Sequence, residues 1–296
     1  MTGGVWIVVT AVLLAAACAW VGSFLLLRRM ALLGDVISHA VLPGIVLAYL
    51  WSGVRVVPVM LGGALLSALL AVLAIQALHR WFGWHSDTAA AAVLSAFFAS
   101  GVLLLSLFGG SVDLDMECVL YGDIAYVPLD MVSLAGGWLV FPRAVVLAAV
   151  VLLLVGLFGI LAYRELVVSI FDPEFAAAIG TAPGVWQSLL LGLTAVVAVV
   201  GFELVGVILL VALLVLPAAT ARLITARLPM MVLGAIVSGI GSAIGGYFLA
   251  LAFQGAIAGW IALAGGMQFV VVFAWNWLRQ RLKLSPSSAQ NPFGAE

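Results

Sequence analysis

Asp35 and His39 stand four residues apart in the stretch RRMALLGDVISHAVLPGIVLAY, residues 28–49. On a helix their side chains share one face and can reach a common small ligand. Pro43 lies four residues further along that face; lacking an N–H, it cannot bond the carbonyl of His39, and that oxygen is expected to stand free beside the imidazole. A carboxylate, an imidazole and a backbone carbonyl together suit a divalent cation. Two plainer readings stand beside this one: Asp35 as the cap of the helix that follows it, and His39 as a hydrogen-bonded interior histidine with no ligand. Depth weighs against both. Counted from Arg28 and Arg29 at the water boundary, His39 lies roughly 15 Å along a helix, near the middle of a hydrocarbon core about 30 Å thick. An ionisable group there costs about 2.5 to 3.5 kcal/mol on insertion scales and usually faces protein or a water-filled path.

The elements that must position this pair are membrane helices. The chain is 66% hydrophobic and 8% charged, where soluble domains carry about 25% charged residues. Apolar runs of spanning length give about nine candidate helices: residues 5–27, 33–50, 56–78, 88–108, 144–163, 185–200, 204–221, 230–252 and 256–278. The sixth and seventh are joined only by Gly201, Phe202 and Glu203, and read either as a tight hairpin or as one broken element, which lowers the count to about eight. The fold class is therefore all-α and polytopic. Residues 124–140 are apolar but interrupted by Pro128, Asp130 and Gly136-Gly137, and are expected to form a partly embedded loop. Pro217 is expected to kink its helix as Pro43 does. The first apolar run has no basic residues before it and reads as a retained helix.

Basic residues set the orientation. With nine alternating helices, Arg28, Arg29, Arg80, Arg164, Arg222, Arg227, Arg279, Arg281 and Lys283 fall on one side, and only Arg55 and Arg143 on the other. The basic side is expected to be cytoplasmic, with the N-terminus outside and the C-terminus inside. Asp113, Asp115, Glu117 and Asp123 then gather in one outer loop with no Lys or Arg before Arg143, an acidic vestibule that concentrates cations or docks a basic face of a delivery protein. An ordinary solvated loop is the alternative for any one of them. Glu203 reads as a boundary residue, and His79 and His85, flanking Trp81 and Trp84, as interfacial.

On the inner side, residues 164–184 form the longest polar segment before the tail. Asp172, Pro173 and Glu174 read as cap, first position and acidic first turn of a short helix. Phe171, Phe175 and Ile179 give it an apolar face at four-residue spacing, suited to docking a soluble partner.

Several functions are excluded. Lys283 is the chain's sole lysine and no glycine-rich GK[ST] stretch exists, so no P-loop can form. Cys18 and Cys118 show no paired spacing, which removes a disulfide framework and a thiolate zinc site. No HExxH or GxSxG motif supports an intramembrane enzyme, and no basic run supports nucleic-acid binding.

RRMALLGDVISHAVLPG resembles the signature of the membrane-spanning permease subunits of ABC-type importers for zinc, manganese or iron(II). VSIFDPEFAAAIG is similar to that family's ATPase-coupling segment, VGVILLVALLVLPAATARLIT to its late helix, and LYGDI at 120–124 to a further element. Before the last helix, where family members often carry Asp-x-Pro-x-Gly, this chain has FQGAIAG. The resemblance implies a fold like that of the vitamin B12 importer permeases. It implies a single permease domain over residues 1–284 with 164–184 as the coupling segment, and a disordered cytoplasmic tail at 285–296. The chain would be a multi-pass protein of a prokaryotic cytoplasmic membrane, working with a second copy of itself, two ATP-binding-cassette ATPase subunits and an external metal-binding delivery protein. ATP would be hydrolysed on those partners; this chain would bind no cofactor and would pass the metal by alternating access. Asp35 and His39 match the positions expected to line the metal path, and Asp172, Pro173 and Glu174 the coupling segment. A stand-alone, proton-coupled metal carrier or channel using the same pair is the competing reading, and the amphipathic inner helix is the feature such a carrier does not need.

Overall fold

A computed structural model of the chain describes residues 2–53, 57–108, 124–134 and 139–283. The acidic loop residues Asp113, Asp115, Glu117 and Asp123, together with Arg55, Cys118 and the tail from residue 285, lie outside the described residues.

Helix α1 runs over Thr2–Leu27, α2 over Leu33–Ala40, α3 over Leu42–Ser52, α4 over Val57–Phe82 and α5 over Ser86–Phe108. A 3-10 turn at Ile124–Leu129 follows, then a two-stranded antiparallel hairpin of β1 (Met131–Leu134) and β2 (Leu139–Pro142), with Met131 opposite Pro142. Helix α6 spans Arg143–Phe171, α7 Pro173–Ala178, α8 Pro183–Ile224, α9 Leu228–Phe253 and α10 Ile257–Lys283. The segment expected to be loop is thus partly ordered: Ile124 and Val127 are buried, and Pro128 packs where Gly3 of α1 leaves room.

Among the described residues, eight helical runs are long and apolar enough to cross a membrane, α2 with α3 counting as one. The run of 42 residues in α8 would be about 63 Å long if straight, roughly twice the hydrocarbon thickness. It is not straight. Gly206 leaves helical geometry at φ 77°, ψ 171°, a region open essentially to glycine alone. Trp186 and Leu190 pack with Phe24 and Leu27 near the end of α1, Gly201 meets Leu14 midway up α1, and Ala221 is back beside Ala19 and Leu27. Gly201 also meets Leu210, nine residues on, which a straight helix would hold about 13 Å away. The chain therefore reverses at Gly206, so the eight runs comprise nine helical arms among the described residues. Pro217, expected to kink its helix, lies within continuous helical backbone; the break falls at Gly206, where φ and not a missing N–H sets the turn.

The second run is also broken. Helix α2 ends at Ala40, and Pro43 opens α3 within its first two positions. The expected continuous helix from Arg28 does not form either: the chain turns at Arg29 (φ 58°) and α2 begins only at Leu33. His39 lies about 9 Å along α2 from Leu33, where the helix begins.

The core is built on α1 and the two arms of α8, whose Leu14, Val21, Leu25, Leu191, Leu209 and Leu210 are almost wholly buried. Helix α5 buries little beyond Ala89, Ala90, Val93 and Gly101 and presents a largely open face. Arg80 reaches Gly184 at one end of the bundle, and Arg143 reaches Glu203 at the other.

Candidate functional site

Six of the eight residues of α2 (Leu33, Gly34, Val36, Ile37, Ser38 and Ala40) are buried. The two left over are Asp35 and His39, so amphipathic burial of this short helix turns the carboxylate and the imidazole to its open side. His39 Nε2 lies 3.5 Å from Asp35 Oδ1, with side chains 36% and 40% exposed. The imidazole also meets the ring of Phe98 of α5 edge-on, 5.7 Å between centroids. Asp35 makes no cap bond to the start of α2, and His39 is not sealed in the interior.

The expected third ligand is absent from this arrangement. The carbonyl of His39 takes the N–H of Val41, because the turn closes early where Pro43 offers no N–H. The next carbonyl, of Ala40, accepts the hydroxyl of Ser67 from α4 at 2.6 Å. Among the described residues no cluster of three or more His, Cys, Asp or Glu side chains forms, so one copy of the chain presents two metal-ligating side chains at this point.

The inner segment folds as its residues dictate. Asp172 accepts the N–H of Phe175 at 2.9 Å as the side-chain cap of α7, Pro173 opens that helix and Glu174 lies in its first turn. Phe171, Phe175 and Ile179 are 61%, 55% and 50% exposed, an apolar face left open by the other described residues. Of the basic pair before α2, Arg29 is exposed and Arg28 is turned inward. The Nε and Nη2 atoms of Arg28 have no hydrogen-bond partner, and its burial lowers the guanidinium below its ordinary range.

Reasoning from spacing did not find the groups that surround these elements. Ser67 is 27 residues from Ala40 and carries no motif. Glu203, read as a boundary residue, is partly buried and ion-paired to Arg143 at 2.8 Å. His79 holds the Trp84 carbonyl through Nδ1 at 2.7 Å, in keeping with an interfacial role.

A bundle of eight helical runs long and apolar enough to cross a membrane, with a carboxylate–imidazole pair on an open face, is a polytopic membrane protein. The chain belongs to the ABC 3 transport family, which it matches over residues 5–276. It is 38% identical over 272 residues to the manganese transport system membrane protein MntD of Bacillus subtilis (strain 168), covering 92% of this chain and 91% of that one. It is 37% identical over 270 residues to the zinc transport system membrane protein TroD of Treponema pallidum (strain Nichols), covering 91% of this chain and 73% of that one. Among solved structures, PsaBC from Streptococcus pneumoniae in complex with Fab shares the fold with a TM-score of 0.75 at 29% identity, over 94% of each chain.

Proposed function

We propose that this chain is the membrane permease of an importer for divalent manganese or zinc, driven by separate ATPase subunits. The observation that carries the reading is the Asp35–His39 pair, 3.5 Å apart on the open face of α2, in a chain similar to MntD and TroD. Oxygen and imidazole ligands without thiolate accept either ion and hold it loosely enough to release it.

Two side chains are too few for a tetrahedral zinc or a six-coordinate manganese site. A second copy related by a two-fold axis supplies another Asp35 and His39. The open face of α5 beside the pair supports that arrangement. Its exposed Ser95, Ser100 and Ser106 bond only to carbonyls of their own helix, and such small polar positions suit contact with protein better than with lipid.

The ATPase docks on Phe171, Phe175 and Ile179 of the capped inner helix, a face that a self-sufficient carrier does not need. Nucleotide binding and hydrolysis move this helix and expose the Asp35–His39 face alternately to either side. The end carrying Arg80, Arg222 and Arg227 is cytoplasmic, which puts the N-terminus outside and the C-terminus inside a bacterial inner membrane. The acidic residues Asp113, Asp115, Glu117 and Asp123 serve to attract the external delivery protein. Residues 1–284 work as one permease domain with 164–184 as its coupling segment.

The deciding experiment is uptake by the permease–ATPase complex in proteoliposomes. Replacing Asp35 and His39 together by alanine abolishes manganese(II) and zinc(II) import while assembly and ATP hydrolysis persist. Import at the rate of the unaltered complex rejects the assignment.

A further inference from the structure

Helix α4 touches both the segment that follows α7 and the break in the metal helix, and side-chain bonds hold it near its inner end and near its middle. At the inner end, Arg80 Nη2 donates to the carbonyl of Gly184 at 3.0 Å. One turn inward, Ser188 Oγ lies 2.7 Å from Gln76 Oε1 and 2.8 Å from the Gly184 carbonyl. A hydroxyl has one proton and cannot donate to both. Gln76 is 8% exposed, and its Nε2 is buried without a partner. With the amide turned, Nε2 donates to Ser188 Oγ while that hydroxyl donates to Gly184, and the clash of two acceptors on one proton is removed. Gly184 is thus gripped by Arg80 directly and by Gln76 through Ser188.

Gly184 follows the inner helix closely. Thr181 N–H donates back to Ala176 and Gly180 N–H to Ala177, and Pro183 then starts α8. The link between α7 and the gripped residue is short and internally bonded, so a displacement of α7 reaches Gly184 with little slack.

Near the middle of α4, Ser67 is 6% exposed and donates to the carbonyl of Ala40, the residue after His39. One turn further, Gly63 and Gly44 bring the backbones of α4 and α3 together so closely that a Cβ on either collides with the other's carbonyl oxygen. Ser67 and Arg80 are about 20 Å apart along one uninterrupted helix.

We propose that α4 is the rod that carries movement of the coupling segment to the Asp35–His39 pair, with Arg80 and Gln76 as its inner fastening and Ser67 as the positioning residue at the metal helix. This rests on the importer reading given above and names the part that transmits its motion. When α7 moves, Gly184 draws α4 with it, and α4 shifts the end of α2 through Ser67 and the Gly63–Gly44 contact.

The test uses the permease–ATPase complex in proteoliposomes with manganese(II) as the transported ion. Arg80→Ala should keep manganese affinity and ATP hydrolysis but import about tenfold less manganese per ATP, a coupling loss of the usual size. Arg80→Lys, which keeps a donor, should restore the ratio. Ser67→Ala should show the same uncoupling from the metal-helix side. An Arg80→Ala complex with the unaltered ratio overturns the proposal, as does a loss that Arg80→Lys fails to repair. Hydrogen exchange on the unaltered complex gives a test free of variants. Nucleotide should change protection in residues 64–70 and 183–190 together, and a change confined to 183–190 overturns the rod. Normal import by the Asp35→Ala, His39→Ala pair defeats the metal-site reading instead, and is recognised separately because it leaves the Arg80 result in place.

Discussion

Arg143 Nη2 lies 2.8 Å from Glu203 Oε1, which joins the first turn of α6 to the reversal between the two arms of α8. The same guanidinium reaches Asp130 Oδ2 at 3.8 Å, and the Arg143 N–H donates to the Asp130 carbonyl at 2.9 Å. Both members of the short pair are about one-quarter exposed, so solvent screens it only in part. Arg143→Ala is expected to lower stability by about 1–3 kcal/mol, since it removes the cation 2.8 Å from a carboxylate that is mostly buried. The melting temperature of the detergent-solubilised protein reads this out, and the exchange Arg143→Glu with Glu203→Arg should recover part of the loss.

Gly206 makes the reversal itself. A side chain at φ 77°, ψ 171° is strained by about 1–3 kcal/mol, so Gly206→Ala should melt earlier. Gly156, inside α6 with open space around it, is the control. Its replacement by alanine should be neutral or stabilise by up to about 1 kcal/mol.

Gly44 and Gly63 are expected to be intolerant in the same way for a different reason. Either alanine variant forces the backbones of α3 and α4 apart at a cost of about 1–3 kcal/mol. Gly62, one residue from Gly63 but facing nothing within 4 Å, should accept alanine. Parallel unfolding curves for Gly62→Ala and Gly63→Ala separate close packing from a general dislike of side chains in this region.

The inner helix separates stability from partner binding. Asp172→Ala removes the cap bond to Phe175 and should cost about 1 kcal/mol, read as local loss of protection over 173–178. Phe175→Ser alters an exposed ring and should leave the melting temperature unchanged while reducing the ATPase recovered on co-purification.

Much of this was legible in the residues. Runs of apolar side chains too long for a soluble helix announce their own spans, because the bilayer leaves the backbone no other way to satisfy its hydrogen bonds. Asp172-Pro173-Glu174 fixes a helix start by local chemistry alone, and the four-residue step between Asp35 and His39 puts them on one face wherever that helix lies. Tertiary structure decided the rest. Whether residues 183–224 form one rod or a hairpin depended on φ at Gly206, which the adjoining apolar runs do not encode. Arg28 and Arg29, adjacent in sequence, were parted by a turn that sent one inward and one outward, so no single helix runs from them to His39. Ser67 and Ala40, or Arg80 and Gly184, meet because helices distant in sequence pack side by side; the hydrogen bond between such partners is a property of the packing, with no periodic trace in the chain.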